Sequence, residues 1–347
     1  MSPRIAAVEL IPWNLPMRRP FVTAHGSKKV SHNLRVVVHL ENGTHGYGEA
    51  SESLAWPDEK RADFTRALLN VNLAGKEIQA ARRLSEKVWQ TAGRHPAAAA
   101  ALECALLDAY TRSRGVSLWK WFGGKKRSVT TSLTISAWPP RVAGQAARQA
   151  ARRGFRRLKV KLTGKAPDAD LDRVLAVHRA APKAMLWLDG NQGFTREGAI
   201  RFCSRVRERR LPVELFEQPV PRGEWRGFRE IERQGKIPVV ADESARTVSD
   251  ARRIIRKQAA SVINVKLAKC GVAGALEIIR LAKKTGTRLM IGCMAESAAG
   301  LWPSVALACG TGAFHYIDLD SHLLVISPPG PIDFETRGGR LSVKNRT

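Results

Sequence analysis

Leu158-Lys159-Val160-Lys161, Trp187-Leu188-Asp189-Gly190-Asn191, Phe216-Glu217-Gln218-Pro219, Ala241-Asp242-Glu243-Ser244 and Asn264-Val265-Lys266-Leu267 follow one another in the middle of the chain. Each cluster closes a short apolar run, and about 25 residues separate it from the next. Strands alternating with helical segments at that spacing build a parallel sheet covered by helices. If the sheet closes into a (β/α)8 barrel, the ends of these strands share one rim, where barrel active sites sit. Three carboxylates and three lysines then ring one mouth.

Working outward, eight strand-like runs are found from residue 129 onward. They are Val129 to Ser136, Arg157 to Leu162, Ala184 to Leu188, Val213 to Phe216, Ile237 to Ala241, Ser261 to Val265, Arg288 to Gly292 and Phe314 to Ile317. The segments between them, such as Asp168 to Ala181 and Gly274 to Thr285, have helical length and periodicity. Ahead of the barrel, Ile5 to Leu10 and Leu34 to Leu40 read as strands, with Glu41-Asn42-Gly43 as a hairpin turn and Thr44 to Ala50 as the return strand. Pro20 to Ser27 reads as a loop, and residues 58 to 114 as helices, most strongly Ala97 to Ala109. The expected architecture is an α/β protein: a modified TIM-like barrel preceded by an α+β domain, with the tail from Ser327 packing back on the first domain.

A chain of 347 residues suits one barrel of ~250 residues plus a smaller domain. Met1 to Trp13 lacks a signal-peptide pattern, and no apolar run approaches the ~20 residues of a membrane span. The five cysteines form no C-x-x-C pair, which points to a reduced, cytoplasmic protein without a disulfide framework. The net charge of +27 invites a nucleic-acid reading. Yet the basic residues are scattered through helical segments, as at Arg152-Arg153, Arg207 to Arg210 and Lys283-Lys284, with no aromatic platform among them. A solvated arginine-rich surface is expected, with no nucleic-acid or membrane partner. A homo-oligomer acting on a small molecule is the expected form.

Asp189, Glu217 and Asp242 close three successive strands. Oxygen ligands converging at one mouth suit Mg2+, which keeps positions open for water or substrate. No His or Cys accompanies them, against zinc. Each carboxylate alone has a plainer reading: a turn at Asp189-Gly190-Asn191, a helix cap at Asp242, a solvated loop at Glu217. Their recurrence at one repeat apiece decides for a shared site. Lys159 and Lys161 lie two apart on a strand and face the same side. Lys266 ends a strand four places round the barrel, so a substrate over the metal has Lys161 on one face and Lys266 on the other. A nearby cation favours the neutral form of such lysines, which can then act as bases. Metal and Lys159 would stabilise an enediolate formed at the α-carbon of a carboxylate substrate. The reaction class is racemisation or epimerisation.

In order and spacing, Lys159-Val160-Lys161, Asp189, Glu217, Asp242 and Lys266 resemble the signature of the enolase superfamily, muconate-lactonizing enzyme subgroup, over essentially the whole chain. The resemblance implies a capping domain of residues 1–125 with the tail 326–347, and a barrel of residues 126–325. It implies one Mg2+ per subunit on the three carboxylates, with Lys161 and Lys266 as acid/base catalysts. Strand seven, Met290 to Met294, has no His, unlike the sugar-acid dehydratase branches. Ile317-Asp318-Leu319-Asp320 resembles the Asp-x-Asp of the dipeptide epimerases, such as the L-Ala-D/L-Glu epimerases, where the pair binds the substrate ammonium. Two carboxylates at period two make a cation site.

Ala24-His25-Gly26 stands where the Ala-Glu epimerases resemble Ala-Arg-Gly, which removes a bidentate carboxylate fork. His25, on a mobile loop over the site, is expected to meet the second residue of a dipeptide. Ser51 to Asp58, with Trp56, is a second specificity loop. Thr134, Glu296 and Ser297 complete the expected substrate-facing set. The reading is a Mg2+-dependent dipeptide epimerase. An N-acyl amino acid racemase, an o-succinylbenzoate synthase or a cycloisomerase on the same machinery remains open, and would make Asp318 and Asp320 structural. A basic nucleic-acid-binding protein is the different-class alternative.

Overall fold

The computed structural model describes residues 2–328 and 332–344. The chain opens with a three-stranded antiparallel sheet of β1 (Ile5–Thr23), β2 (Gly26–Leu40) and β3 (His45–Ser51). Three helices cover it: α1 (Arg61–Leu69), α2 (Ala81–Ala92) and α3 (Pro96–Ser113). The alanine run makes α3 thin, and the helix is buried almost all round. Gly46 and Gly48 of β3 let it approach so closely that a Cβ at either would strike the backbone of Ala105 or Ala101. Small residues on both partners bring the helix axis against the sheet, where Leu102, Ala105 and Leu106 join Leu34, Val36 and Val38 in one core.

After α4 (Leu118–Trp121) and β4 (Ser128–Thr130), the barrel begins at β5 (Leu133–Ile135). It continues through α5 (Pro140–Arg152), β6 (Arg157–Lys161), α6 (Pro167–Ala180), β7 (Met185–Asp189), α7 (Arg196–Glu208) and β8 (Val213–Glu217). Then come α8 (Trp225–Gly235), β9 (Val239–Ala241), α9 (Val248–Lys257), β10 (Val262–Val265) and α10 (Leu267–Thr285). Last are β11 (Arg288–Gly292), α11 (Ala298–Thr311), β12 (Tyr316–Asp318) and α12 (Ser321–Leu324). β5 to β12 form one eight-stranded sheet in chain order. The Ser132 N–H donates to Ile317 O at 3.0 Å and joins its two ends.

Strand alternation sorts the side chains. Leu158, Val160, Leu186, Leu188, Phe216 and Ile263 face the helices in the main core. Trp187, Leu215, Val240, Val262 and Met290 pack with Tyr316 as a separate cluster inside the barrel. One step of two further along those strands come Asp189, Glu217, Asp242 and Asn264, so the inward row turns polar as it reaches the rim. The register pairs Lys161 with Asp189 and Asp189 with Glu217.

Two segments differ from the sequence reading. Pro20 to Ser27 is the strand-paired end of a hairpin: Phe21 pairs with Lys28 and Thr23 with Gly26, after an irregularity between Pro16 and Phe21. The run Val129 to Ser136 splits in two. β4 leaves the barrel to pair with the tail, β13 (Phe334–Arg337) and β14 (Arg340–Val343), and only β5 enters the barrel sheet. The tail's Phe334 stacks on Trp302 of α11, while Ile326 N–H donates to Pro16 O at 2.8 Å. Among the described residues no helix is long and apolar enough to cross a membrane.

Candidate active site

One cavity sits at the rim of the barrel beneath the first domain. From the barrel it is lined by Thr134, Lys159, Lys161, Asn191, Asp242, Glu243, Lys266, Asp318 and Asp320. The β1–β2 hairpin adds Met17, Phe21, Thr23, His25 and Lys28, and the segment after β3 adds Leu54, Ala55 and Trp56.

Lys159 Nζ is the centre of charge. It lies 3.0 Å from Asp189 Oδ2, 2.8 Å from Glu217 Oε2 and 2.7 Å from Asp318 Oδ2, all buried. Lys161 Nζ donates to Asp189 Oδ2 at 2.6 Å and to Asn191 Oδ1 at 3.0 Å. Its ammonium also stands 5.6 Å from the centroid of the Phe21 ring. Across the barrel, Lys266 Nζ donates to Asp242 Oδ2 at 2.6 Å, and Lys269 Nζ holds Asp242 Oδ1 at 2.7 Å.

The titration follows from this packing. Burial pushes the Asp189 carboxyl up, but Lys159 and Lys161 outweigh it and hold the group down to about 2. Asp242 is held well below the usual range because Lys266 and Lys269 overcome its burial. Glu217 goes the other way: burial, with repulsion from Asp189 and Asp242, lifts it to about 8 against the pull of Lys159. Asp320 is raised to about 6 by burial and by Asp318.

The acidic groups are thus held by ammonium ions. Among the described residues no trio of Asp, Glu, His or Cys stands gathered as metal ligands. The donor set still fits a hard divalent cation. Asp189 Oδ2 and Glu217 Oε2 converge on the Lys159 ammonium, and among the described residues the fully buried Glu217 Oε2 has no partner beyond that ion pair. The donors are all oxygen, with no soft ligand beside them.

Asp318 and Asp320 both line the cavity, though the second lies beyond the strand at the start of α12. Asp318 Oδ1 accepts from Ser132 Oγ at 2.8 Å, and Asp320 Oδ2 accepts the Thr134 N–H at 2.6 Å. His25 Nε2 lies 3.8 Å from Glu243 Oε1 and 3.3 Å from Gln192 Nε2. Glu296 and Ser297 do not line the cavity. Ser297 donates from both its N–H and its hydroxyl to Glu49 of β3, and its Oγ caps α11, so it serves the seam between the domains. Burial raises the Glu296 carboxyl to about 8, with Glu49 adding repulsion.

A mandelate racemase/muconate lactonizing enzyme N-terminal domain model matches residues 6–123, and an enolase C-terminal domain-like model matches residues 141–346. The chain belongs to the mandelate racemase/muconate lactonizing enzyme family, within the enolase superfamily. An aromatic dipeptide epimerase of Herpetosiphon aurantiacus is 39% identical over 345 residues, covering 99% of this chain and 97% of its own. An L-Ala-D/L-Glu epimerase of Thermotoga maritima is 33% identical over 346 residues, covering 99% of each chain. A dipeptide epimerase from Methylococcus capsulatus, solved with Mg and the dipeptide L-Arg-D-Lys, is 31% identical. It superposes with a TM-score of 0.91 over 100% of this chain and 98% of that one.

Several residues of this family member that hold the site were not singled out by sequence reasoning. Asn264 Nδ2 donates to Glu217 Oε1 at 2.8 Å. Gln218 Oε1 accepts the N–H groups of Asp242 at 3.0 Å and Ser244 at 3.1 Å. To do so Gln218 adopts a positive φ of 35°, a conformation non-glycine residues rarely take. Gln218 and Asn264 sit inside the rim clusters, a usable signal. Lys269, one helical turn after Lys266, has none.

Proposed function

We propose that the protein is a Mg2+-dependent dipeptide epimerase that inverts the α-carbon of the C-terminal residue by two-base proton transfer. One observation carries the reading: Lys161 and Lys266 enter a single cavity from β6 and from the end of β10, four strands apart in an eight-stranded ring, with the acidic pair Asp318 and Asp320 in the same cavity. Residues 1–125 with the tail 326–347 form the cap in this reading, and residues 126–325 the barrel.

Asp189, Glu217 and Asp242 would hold the metal. Bound there, Mg2+ supplies fixed positive charge against the substrate carboxylate in a dry site. Lys159 adds a second cation where charge develops as the α-proton leaves. The neutral amine of one lysine takes that proton, breaking the C–H bond. The ammonium of the other delivers a proton to the opposite face, so the carbon is inverted, its original proton stays on the first lysine, and the two lysines have exchanged protonation states. Asp318 and Asp320 would receive the substrate ammonium, and Thr134 fixes the second of them through its N–H. His25 and Trp56 would meet the side chains of the dipeptide.

The test is α-hydrogen exchange of free dipeptides in D2O with Mg2+, followed by mass and chirality. Expected is deuterium at the α-carbon of the C-terminal residue in both epimers. Full activity in excess chelator, or exchange with no free dipeptide in a broad library, would overturn the reading.

A further inference from the structure

Leu54, Ala55 and Trp56 line the cavity from the segment between β3 and α1, which has little of its own to hold it. Its internal bonds are turn bonds: Ala55 N–H to Ser53 Oγ at 3.1 Å, Trp56 N–H to Ser53 O at 3.3 Å, and Glu59 N–H to Trp56 O at 3.2 Å. Among the described residues, the barrel side chain that grips it is Arg246. The guanidinium stands 4.5 Å from the centroid of a Trp56 ring, and Nη2 donates to Glu59 Oε1 at 2.6 Å. Both charged side chains are only 18% exposed, so the pair is stronger than one on an open surface.

The other end of this link is rigid. Arg246 follows Asp242 by four residues, in the turn whose N–H groups at Asp242 and Ser244 are bound by Gln218. The Asp250 carboxylate accepts the N–H groups of Arg246 at 3.2 Å and Thr247 at 3.0 Å, which ties the turn to the start of α9. Arg246 itself does not line the cavity.

We propose that Arg246 is a positioning residue that latches the Trp56 wall to the strand end bearing Asp242, and so sets substrate affinity without touching substrate. The inference rests on the dipeptide-epimerase reading. The guanidinium does two jobs at once, standing over the indole and donating to Glu59. A lysine replaces only part of this.

Arg246→Met is expected to raise KM about tenfold with kcat within about twofold, the loss of one partly shielded charge contact. Arg246→Lys is expected to recover part of the loss. Trp56→Ala should raise KM as well, and the double variant should lose little more than either alone, because both act through one contact. Mn2+ affinity, measured by direct titration, should stay unchanged in Arg246→Met. Amide exchange at residues 53–59 should quicken about tenfold in that variant, a readout that needs no turnover. Unchanged KM, additive losses, a parallel fall in Mn2+ affinity, or unaltered amide exchange would each overturn the latch. A wild type that exchanges no dipeptide sinks the functional reading instead, while the amide exchange still decides whether the contact holds the wall.

Discussion

Lys159 is the counter-charge of Asp189, Glu217 and Asp318 at once. Removing it leaves Glu217 and Asp318 without an ammonium partner while Asp189 keeps Lys161, and breaking a buried charge cluster in this way costs ~3–5 kcal/mol. Lys159→Met should therefore destabilise the metal-free protein by about that amount. Added Mg2+ should raise its melting temperature more than it raises that of the wild type, and equal shifts would contradict the arrangement. In the proposed mechanism Lys161 and Lys266 should be separable. Lys161→Ala is expected to abolish epimerisation yet leave α-proton exchange for one epimer, and Lys266→Ala to leave exchange for the other. Exchange of the same epimer by both variants would end the two-base assignment. Asp320→Asn should cut turnover of free dipeptides by two orders of magnitude or more, and N-acetylated dipeptides should be poor wild-type substrates. If acetylated and free dipeptides turn over alike, the N-acyl racemase reading takes over.

Among elements, the joint between α3 and α10 depends on one carboxylate. Glu103 accepts the N–H groups of Val272 at 2.9 Å and Ala273 at 3.3 Å, and Trp89 Nε1–H at 2.9 Å. Gly271 makes this possible with φ 64°, and a Cβ there would run into Glu103 and the Trp89 ring. Glu103→Ala leaves the buried Val272 N–H and the half-buried Trp89 Nε1–H without this acceptor and should cost about 1–3 kcal/mol. Glu103→Gln keeps an acceptor and should cost less, as chemical denaturation would read out. Nothing in the sequence announces this joint: Glu103 sits in an alanine-rich helix and its partners in α10 come 169 and 170 residues later. The same holds for β4, whose apolar run looks continuous with β5 until β14 arrives to claim it. The rim was legible because strand ends repeat the same chemistry at a fixed interval. Ser297 was a strand-end residue as well, but a helix start and Glu49 compete for its hydroxyl, and neither is visible locally.

Across the whole molecule, the tail ties itself to the barrel through a histidine. His322 Nε2 lies 2.8 Å from Thr336 Oγ1, its ring meets Phe334 edge-on, and its buried Nδ1 has no hydrogen-bond partner among the described residues. Burial, with Arg153 adding repulsion, holds the imidazole down to about 4 from 6.5. The folded state thus refuses a proton that the unfolded chain accepts below 6.5. This contribution is present above 6.5 and is lost as pH falls toward 4. The stability of wild type relative to His322→Gln should fall between pH 7 and pH 5, about the range set by these values. A flat difference would exclude the histidine.

The cluster of Trp187, Leu215, Val240, Val262, Met290 and Tyr316 fills the barrel beneath the rim, and it fixes how traffic moves. A barrel packed in this way is not a pore. Reactant and product must use the same doorway, and they differ only in the hand of one carbon. Each epimer is then a rival of the other for one vacancy, and neither direction has a private exit. Progress curves started from a single epimer should bend well before the starting material is consumed. Net flow through such an enzyme depends on whatever removes one hand of the dipeptide outside it.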